Sequence, residues 1–315
     1  MKIVSKKTVD FTHEEIANLY DLYERVFHER SSEQFFYDQF LNTTKGYSYH
    51  ALALDNGRIV GHNVYVPFDY LKDGIEPFTL VLSIDAMIDP AYQGKGLYRK
   101  LLKGCEELAL EDNVKLRVGF PNRNSYPIQS KVFKDHDFGT LDIYFLPLRP
   151  GARFKWLGFL DCLTMGVSKL MVKRENHRIA DNVRFTRNLV EFNRIRYKWF
   201  DGDYKIERLQ PDITLIYKDF IFGGIPATFI VDFQPRTHDA LQKSCRYIVN
   251  SNPQTCALFY VGKLPFKAKC MFRIPKFLEP KKVHFVGKIY DKELVGQDGL
   301  KVDNWDVNLS SFDLL

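Results

Sequence analysis

One stretch of the sequence, residues 80–98, constrains the fold more than any other. It reads LVLSIDAMIDPAYQGKGLY. The apolar run from Leu80 to Ile88 predicts a buried strand, which Asp89-Pro90 ends. Glycines at 94 and 96 follow, and leucines at helical spacing begin at Leu97. A strand, a glycine loop and a helix start form an anion-binding geometry, because the free N–H groups of the first helical turn point at the ligand. We therefore expect a phosphate site here.

Two common phosphate loops do not match this stretch. A P-loop needs a Lys-Ser or Lys-Thr pair after its last glycine, whereas Lys95 lies between the glycines. The dinucleotide-binding fingerprint needs three glycines, and Tyr98 stands where a small residue is expected. A third kind of anion loop and a plain turn are the two remaining interpretations.

The first half of the chain predicts an α/β order around this loop. A helix at 14–29 begins with a capping box formed by Thr12 and Glu15. Asp55-Asn56-Gly57 predicts a tight hairpin between strands at 49–54 and 59–70. A helix at 97–110 connects the strand at 78–88 to one at 114–120, which makes these two strands parallel neighbours. A helix near 125–134 and a single strand at 138–147 complete this half.

The remaining sequence predicts a connector and a second domain. Residues 151–180 contain an apolar helix, Trp156 to Met171, which is too short and too interrupted to span a bilayer. We expect this helix to pack between two domains, residues 1–150 and 181–315. The order of elements after 181, including a strand at 304–309, resembles the first half and indicates a duplication. The corresponding segment, Gln234-Pro235-Arg236-Thr237, has no glycine.

Composition narrows the classes of partner. The chain has 45 basic and 39 acidic residues and a net charge of +6, and the basic residues form no long run. This argues against nucleic acid and suits a small polyanionic ligand. Five widely spaced cysteines without a C-x-x-C motif predict reduced thiols in the cytoplasm and no metal site. No secretory signal and no membrane partner are expected.

Two segments resemble a known family. DPAYQGKGLYRKLL closely resembles the acyl-CoA loop of the GNAT superfamily of N-acyltransferases, in which Gln93 and Gly96 match the motif and Tyr98 departs from it. FPNRNSYPIQSKVFKDHDF resembles the family's next strand and helix. The resemblance implies a GNAT fold with a central mixed, mostly antiparallel sheet. The run NRIRYKWF and the ending with Asn304-Trp305-Asp306 and Phe312-Asp313 are similar to the second half of tandem-GNAT proteins, several of which act in bacterial surface-polysaccharide pathways. This similarity implies two GNAT-like domains.

The resemblance also implies a co-substrate, acyl-CoA, with an acetyl or a longer acyl group such as a hydroxyacyl chain. Backbone N–H groups of the loop would hold the pyrophosphate, Lys95 would add charge, and Gln93 would fix the loop. The pantetheine arm would run along the bulged end of the strand and contact one of two asparagines. The residues implied for binding are Ala86, Met87, Ile88, Gln93, Gly94, Lys95, Gly96, Leu97, Tyr98, Asn122 and Asn124.

Three side chains are candidates for proton transfer. Asp85 lies within an otherwise apolar strand, where burial would favour its action as a base; the alternative is a structural Asp satisfied by a neighbour. His62 is the second candidate base, and a structural role is its alternative. Relatives place a general-acid tyrosine where this chain has Phe133, so Tyr126 is the substitute, or the thiolate leaves unprotonated.

The resemblance implies direct attack of an amine on an acyl-CoA thioester in a ternary complex, by a monomer or a homodimer. The similarity to tandem-GNAT proteins favours a nucleotide-linked amino sugar as the acceptor, and its diphosphate suits the positive charge. One alternative is acetylation of aminoglycosides or polyamines, which would need an acidic cleft. The other is a non-catalytic CoA-binding protein. The basic run at 194–198 is either a solvated helix face or a contact for an anionic acceptor.

Overall fold

The computed structural model describes residues 1–28, 33–173, 183–188 and 204–311. The basic run at 194–198 lies outside these ranges. The sequence predicts a helix near 181–199, but the described part of that range contains a strand, Phe185–Arg187, so the prediction is wrong there. The strands, in chain order, are β1 (Lys2–Lys7), β2 (Tyr49–Asp55), β3 (Arg58–Lys72), β4 (Glu76–Ile88), β5 (Leu116–Gly119), β6 (His136–Thr140), β7 (Asp142–Pro147), β8 (Phe185–Arg187), β9 (Lys205–Gln210), β10 (Ile213–Phe222), β11 (Ile225–Gln234), β12 (Ala257–Gly262), β13 (Phe272–Arg273) and β14 (His284–Ile289).

Helices flank these strands. The α-helices are α1 (His13–Phe27), α2 (Glu33–Phe36), α3 (Leu97–Glu111), α4 (Asp161–Met171), α5 (His238–Ser251) and α6 (Lys292–Val295). Two π-helical turns, Tyr37–Leu41 and Ile128–Val132, and several short 3-10 turns complete the described part. Thr12 and Glu15 form the predicted capping box of α1.

The first compact unit contains residues 1–138 together with described residues from 185–188 and 285–300. Its sheet has the order β1-β2-β3-β4-β5-β14-β6, and β8 pairs with β3. β4 and β5 are parallel, as the crossover through α3 predicts, whereas the pairs β1–β2, β2–β3 and β3–β4 are antiparallel. Residues 285–300 therefore lie in the first unit, although a linear division at residue 180 places them in the second.

Local sequence explains the centre of this sheet. The predicted hairpin joins β2 to β3, and Asn56 and Gly57 both have positive φ values, 49° and 79°, as a tight hairpin turn requires. α3 covers one face through Leu101 and Cys105, which are fully buried against the alanines of β2. This packing places the N-terminus of α3 at the end of β4.

The second compact unit contains described residues from 139–184, 204–284 and 301–311. Its sheet has the order β13-β7-β12-β11-β10-β9. β11 and β12 are parallel and α5 connects them, while β10 is antiparallel to both its neighbours. Thr237 caps α5, as the sequence predicts. Each unit thus has a mixed, mostly antiparallel sheet with one parallel crossover, and the predicted fold class and duplication are confirmed.

Two predicted strands are corrected by the structure. The strand predicted at 138–147 divides into β6 and β7, which belong to different sheets, after Gly139 takes a positive φ of 127°. The strand predicted at 304–309 is replaced by two 3-10 turns and one isolated bridge. Asn308 explains this second difference, because its side chain accepts from the backbone N–H of Ser310 and so competes with strand pairing.

The connector helix is held by hydroxyl groups. Thr164 of α4 donates to the carbonyl of Leu148, and Ser168 donates to that of Pro147. The large apolar side chains of Leu163 and Leu170 are exposed, and the packing of this helix between two domains stays a prediction. Among the described residues, no helix has the length and apolar character needed to cross a membrane.

Candidate active site

The centre of the candidate site is a bulge in β4. Val64 of β3 lies opposite Ile84, and His62 lies opposite Met87, so Asp85 and Ala86 together face a single residue of β3. Asp85 takes a left-handed φ of 47°. A bulge of this kind bends a strand and redirects its side chains. Consequently Asp85 and Met87 line the same cavity, whereas Ala86 is exposed.

β4 and β5 separate at the same point. Their parallel pairing covers only Leu80 to Leu82 on β4. β4 then continues to Ile88 with β3 as its one strand partner in the described chain. The backbone of 83–88 therefore presents an edge on the side away from β3, and an extended ligand can use its N–H and C=O groups.

The loop after β4 is shaped for an anion. Gly94 and Gly96 have φ values of 76° and 71°, and a Cβ added at either would meet nothing within 4 Å. Gly96 is the N-cap of α3 and has no side chain to occupy the helix end. Within the described structure, the N–H groups of residues 94–97 donate to no backbone carbonyl. The loop therefore offers backbone N–H groups without a backbone acceptor beside open space, which fits a pyrophosphate.

Short-range bonds hold this loop in place. Gln93 Nε2 donates to the carbonyl of Ile88 at 3.2 Å. The hydroxyl of Tyr92 donates to Asp55 at 2.7 Å. The ammonium of Lys95 donates to the carbonyl of Ala91 at 3.0 Å and lies 4.7 Å from the Tyr92 ring. Lys95 thus lies along the loop, and the backbone supplies the outward donors.

A second anchor ties the start of the loop to α1. Asp89 is buried, and its carboxylate accepts from the backbone N–H of Ala91 at 3.1 Å. The same carboxylate accepts from Arg25 Nε at 3.0 Å, and Arg25 also donates to the carbonyl of Ile59. These bonds connect the strand end, the loop and the first helix.

Three of the predicted residues meet at one cavity of about 20 Å³. This volume suits about one water molecule. The strand side of the cavity is lined by His62, Asp85 and Met87. The other side is lined by residues of α1, of α2 and of the Tyr37–Leu41 turn that follows α2. The remaining lining residues are Leu19, Tyr20, Tyr23, Phe36, Gln39 and Phe40.

His62 is the end of a buried chain of hydrogen bonds. Its Nε2 lies 2.9 Å from Nδ1 of His50, and Nε2 of His50 lies 2.9 Å from the hydroxyl of Thr8. Nδ1 of His62 is buried and has no hydrogen-bond partner among the residues that the structure describes. Burial lowers the pKa of His62 to about 3 and lowers that of His50 as well. Both rings are therefore neutral near pH 7.

The hydroxyl of Thr8 determines which nitrogen of His62 carries the proton. This oxygen accepts from the backbone N–H of Ser48 at 2.7 Å and lies 3.1 Å from the carbonyl of Phe40. When the hydroxyl donates to that carbonyl, His50 must donate from Nε2, and His62 must do the same. Nδ1 of His62 is then a hydrogen-bond acceptor. The sequence interpretation missed His50 and Thr8, although the register of the predicted hairpin brings His50 and His62 together.

The other predicted residues are engaged elsewhere. Tyr126 donates to Asp137 at 2.6 Å, and this bond raises the pKa of Tyr126 to about 12. Tyr126 does not line the cavity. Because its pKa is raised, its hydroxyl is a weak acid for protonating a thiolate. Oδ1 of Asn122 accepts from the backbone N–H groups of Asn124 and Ser125, at 2.9 and 3.0 Å, and caps the turn that they begin.

An aromatic pair occupies the position where the family has its general-acid tyrosine. Phe133 packs against Tyr98 with ring centroids 5.4 Å apart, and the hydroxyl of Tyr98 accepts from Gln129 Nε2 at 3.2 Å. Position 133 is therefore a phenylalanine and not a tyrosine, but the side chain of Tyr98 contacts it.

Cys105 is fully buried, and burial raises the pKa of its thiol to about 12. This thiol is a core group and not a nucleophile.

Comparisons with known proteins identify one family and several similar folds. The acetyltransferase (GNAT) family matches residues 14–128. No curated protein matches the sequence. Among solved structures, a GCN5-related N-acetyltransferase from Anabaena variabilis superposes with a TM-score of 0.57 at 12% identity, covering 91% of this chain and 73% of that one.

Two further structures are similar. A GCN5-related N-acetyltransferase from Kribbella flavida has a TM-score of 0.57 at 10% identity, and 93% of this chain and 73% of that one are covered. Eis1 from Mycobacterium abscessus has a TM-score of 0.56 at 10% identity, with 96% and 76% covered. The chain has a GNAT fold with two sheets, its residues 14–128 match the acetyltransferase (GNAT) family, and these findings support an acyltransferase.

Proposed function

We propose that this protein transfers an acyl group from acyl-CoA to the amine of a small acceptor. One observation carries the proposal: the separated edge of β4, the bulge at Asp85 and the uncapped loop at Gly94–Gly96 follow one another within residues 83–97. An extended pantetheine arm needs an unpaired strand edge, and a pyrophosphate needs convergent N–H donors. This short segment offers both in the order in which CoA presents them.

The chain's own groups define how the co-substrate would be held. The backbone N–H groups from Gly94 to Tyr98 would bind the pyrophosphate, and the exposed side chains of Arg99 and Lys100 add positive charge to the first turn of α3. Pantetheine would follow Ala86–Ile88, with Asn122 or Asn124 at its other side. An N–H at Ala86 or Met87, freed by the bulge, would polarise the thioester carbonyl.

The cavity residues would handle the proton. In the proposed step the amine nitrogen forms a bond to the thioester carbon, the carbon–sulfur bond breaks, and the sulfur leaves as a thiolate. The nitrogen's proton goes to Asp85, directly or through the one water that the cavity can hold. His62, kept neutral by burial, would orient that water or the amine through Nδ1. Because Asp137 holds the proton of Tyr126, solvent would protonate the thiolate.

A nucleotide-linked amino sugar is the acceptor that we favour. Asp85 is the one carboxylate among the cavity's lining residues, and the rings of Tyr20, Tyr23, Phe36 and Phe40 surround the rest. A single acid with aromatic neighbours suits one amine on a sugar. An aminoglycoside or a polyamine carries several positive charges, and recognition of these needs several acids.

In the second unit, a capped and ion-paired segment stands where the first unit has its loop. Thr237 accepts from the N–H of Ala240, so the start of α5 is capped by a side chain. Arg236 is nearly buried and pairs with Asp306 at 3.0 Å. These contacts support the proposal that the second unit is a GNAT-like domain without a CoA site and that one acyl-CoA binds per chain.

A screen tests the proposal. Acetyl-CoA and hydroxyacyl-CoA would each be combined with uridine- and thymidine-diphosphate amino sugars, aminoglycosides and polyamines, and thiol release would be measured. We expect turnover with an amino-sugar nucleotide, a fall of at least a hundredfold in Asp85→Asn, and unchanged CoA affinity in that variant by calorimetry. Turnover of aminoglycosides alone would refute the acceptor. CoA binding without turnover of any amine would favour a non-catalytic CoA-binding protein.

A further inference from the structure

The connector carries an exposed apolar face, which we name the connector face. It consists of five side chains at successive spacings of three, four, four and three residues, which is one side of a helix. They come from the 3-10 helix Lys155–Leu160 and from α4. Their exposed fractions are 73% for Trp156, 76% for Phe159, 63% for Leu163, 47% for Val167 and 72% for Leu170.

α4 turns its polar side inward and its apolar side outward, which is the reverse of an ordinary surface helix. Its inward side carries Thr164 and Ser168, whose hydroxyls donate to carbonyls of the preceding segment at 2.9 and 2.8 Å. Met165, on the same side, packs against the core of the second unit. A helix of a soluble domain buries its apolar side and exposes its polar side. Here the polar side is satisfied internally, so the exposed leucines are not a by-product of poor packing.

Within residues 153–173, the exposed charged side chains have one sign. Arg153, Lys155, Lys169 and Lys173 flank the connector face and are all exposed. The one acid within residues 153–173 is Asp161, and its carboxylate accepts from the backbone N–H of Gly151 at 2.7 Å. Positive side chains beside exposed Trp, Phe and Leu are typical of a helix that lies in the headgroup region of an anionic bilayer.

We propose that the connector face binds the surface of an anionic lipid bilayer, with α4 lying in the plane of the interface. A second copy of the chain is a poorer occupant, because a two-fold contact through this face would oppose four cations with the same four cations. The association is peripheral, since no described helix has the properties of a membrane span. The inference goes beyond acyl transfer and does not depend on it.

The expected binding is reversible. Transfer of one large apolar side chain out of water changes partitioning by about tenfold or more. Each lysine or arginine near an anionic surface contributes about fivefold, and salt screens this part. Loss of two apolar side chains should therefore reduce vesicle binding by about a hundredfold, while loss of two charges should reduce it by about twenty-five-fold.

Vesicle co-sedimentation of the full chain tests the inference. The vesicles would be pure phosphatidylcholine, or phosphatidylcholine with 30% phosphatidylglycerol. The variants are Trp156→Ser/Leu170→Ser and Lys155→Gln/Lys169→Gln. Ile75→Ser is the matched control, because Ile75 is an 85% exposed apolar side chain in the first unit. We expect binding to anionic vesicles only, the losses given above for the two double variants, and no change for the control.

A spectroscopic measurement locates the contact. Phosphatidylcholine brominated on its acyl chains, mixed with phosphatidylglycerol, should quench the tryptophan fluorescence of the wild type. The chain has three tryptophans, so the measurement uses a Trp199→Phe background. Trp305 is fully buried, so the quenching in this background should be lost when Trp156→Phe is added. Three outcomes would overturn the proposal. The first is no binding of the wild type to anionic vesicles, and the second is an equal loss of vesicle binding in Ile75→Ser. The third is a wild-type dimer in solution that does not bind vesicles and that is lost in the apolar double variant.

Discussion

The buried histidine pair makes stability depend on pH in a predictable window. His50 and His62 are fully buried and hydrogen-bonded to each other, and burial lowers the pKa of both. In the unfolded chain each ring titrates near pH 6.5. As the pH falls below this value, the histidines of the unfolded state bind protons, whereas those of the folded state stay neutral. Folding is therefore most stable above about pH 6.5 and weakens as the pH falls toward 3.

The size of the effect follows from the linkage relation. Between pH 7.0 and 5.5, an unfolded histidine of pKa about 6.5 gains most of one proton, which costs the folded state about 1.3 kcal/mol. The pair should therefore lower the free energy of unfolding of the first unit by about 2.5 kcal/mol over this range. Carboxylates titrate mainly below the range and contribute little.

Urea unfolding at pH 7.0 and 5.5 measures this difference. His50→Gln/His62→Gln should be less stable at pH 7.0, yet it should lose about 2.5 kcal/mol less than the wild type on acidification. His13→Gln is the control, because His13 is exposed and lies outside the chain of hydrogen bonds. His238 also has a pKa lowered by burial, but it belongs to the second unit and is common to all variants. Equal acid losses in the wild type and the double variant would refute the reasoning, as would a nitrogen spectrum showing His62 protonated at pH 5.5.

Three further predictions address the loop, the bulge and the core. Gly96→Val and Gly74→Val both place a side chain at a left-handed φ, 71° and 73°, and each should cost about 1–2 kcal/mol of stability; only the first should weaken CoA binding, by tenfold or more in calorimetry, and equal CoA affinity would refute the loop assignment. Asp85→Gly should keep the bulge, since Asp85 has a left-handed φ of 47° that glycine adopts without strain, while thiol release falls; unchanged release would remove Asp85 from the chemistry. Asp135→Asn leaves the buried Arg117 without its counter-charge and should cost about 3–5 kcal/mol in urea unfolding, whereas Arg117→Met/Asp135→Leu should recover much of this loss.

Local signals in the sequence predicted the elements that short-range chemistry controls. The Thr12–Glu15 box, the Asp55–Gly57 hairpin and the α3 crossover are all present, because each depends on residues close together in the chain. The left-handed glycines of the loop are present for the same reason. These are the features that a capping, turn or helix-start rule can describe without knowledge of the rest of the fold.

Long-range pairing was beyond such rules. The apolar run that forms β14 predicts a strand, but its alternation does not specify a partner, and β14 pairs with β5 of the first sheet. The strand predicted at 138–147 carries no marker that its two halves enter different sheets. The partners of His62 were missed similarly: a lone histidine in a strand indicates little until the hairpin register places His50 beside it.

The connector shows what a correct helical pattern leaves open about the surroundings of the helix. The spacing of Trp156, Phe159, Leu163 and Leu170 predicts one apolar side of a helix, and the structure contains that side. Hydrophobic periodicity states which residues share a face, but it does not state whether protein or lipid covers it. The hydroxyls of Thr164 and Ser168 settle the orientation, because their hydrogen bonds to β7 and the residue after it require that they face inward. Once those two bonds form, the leucines must face outward, and the four flanking cations then favour an anionic bilayer over water or a second copy of the chain.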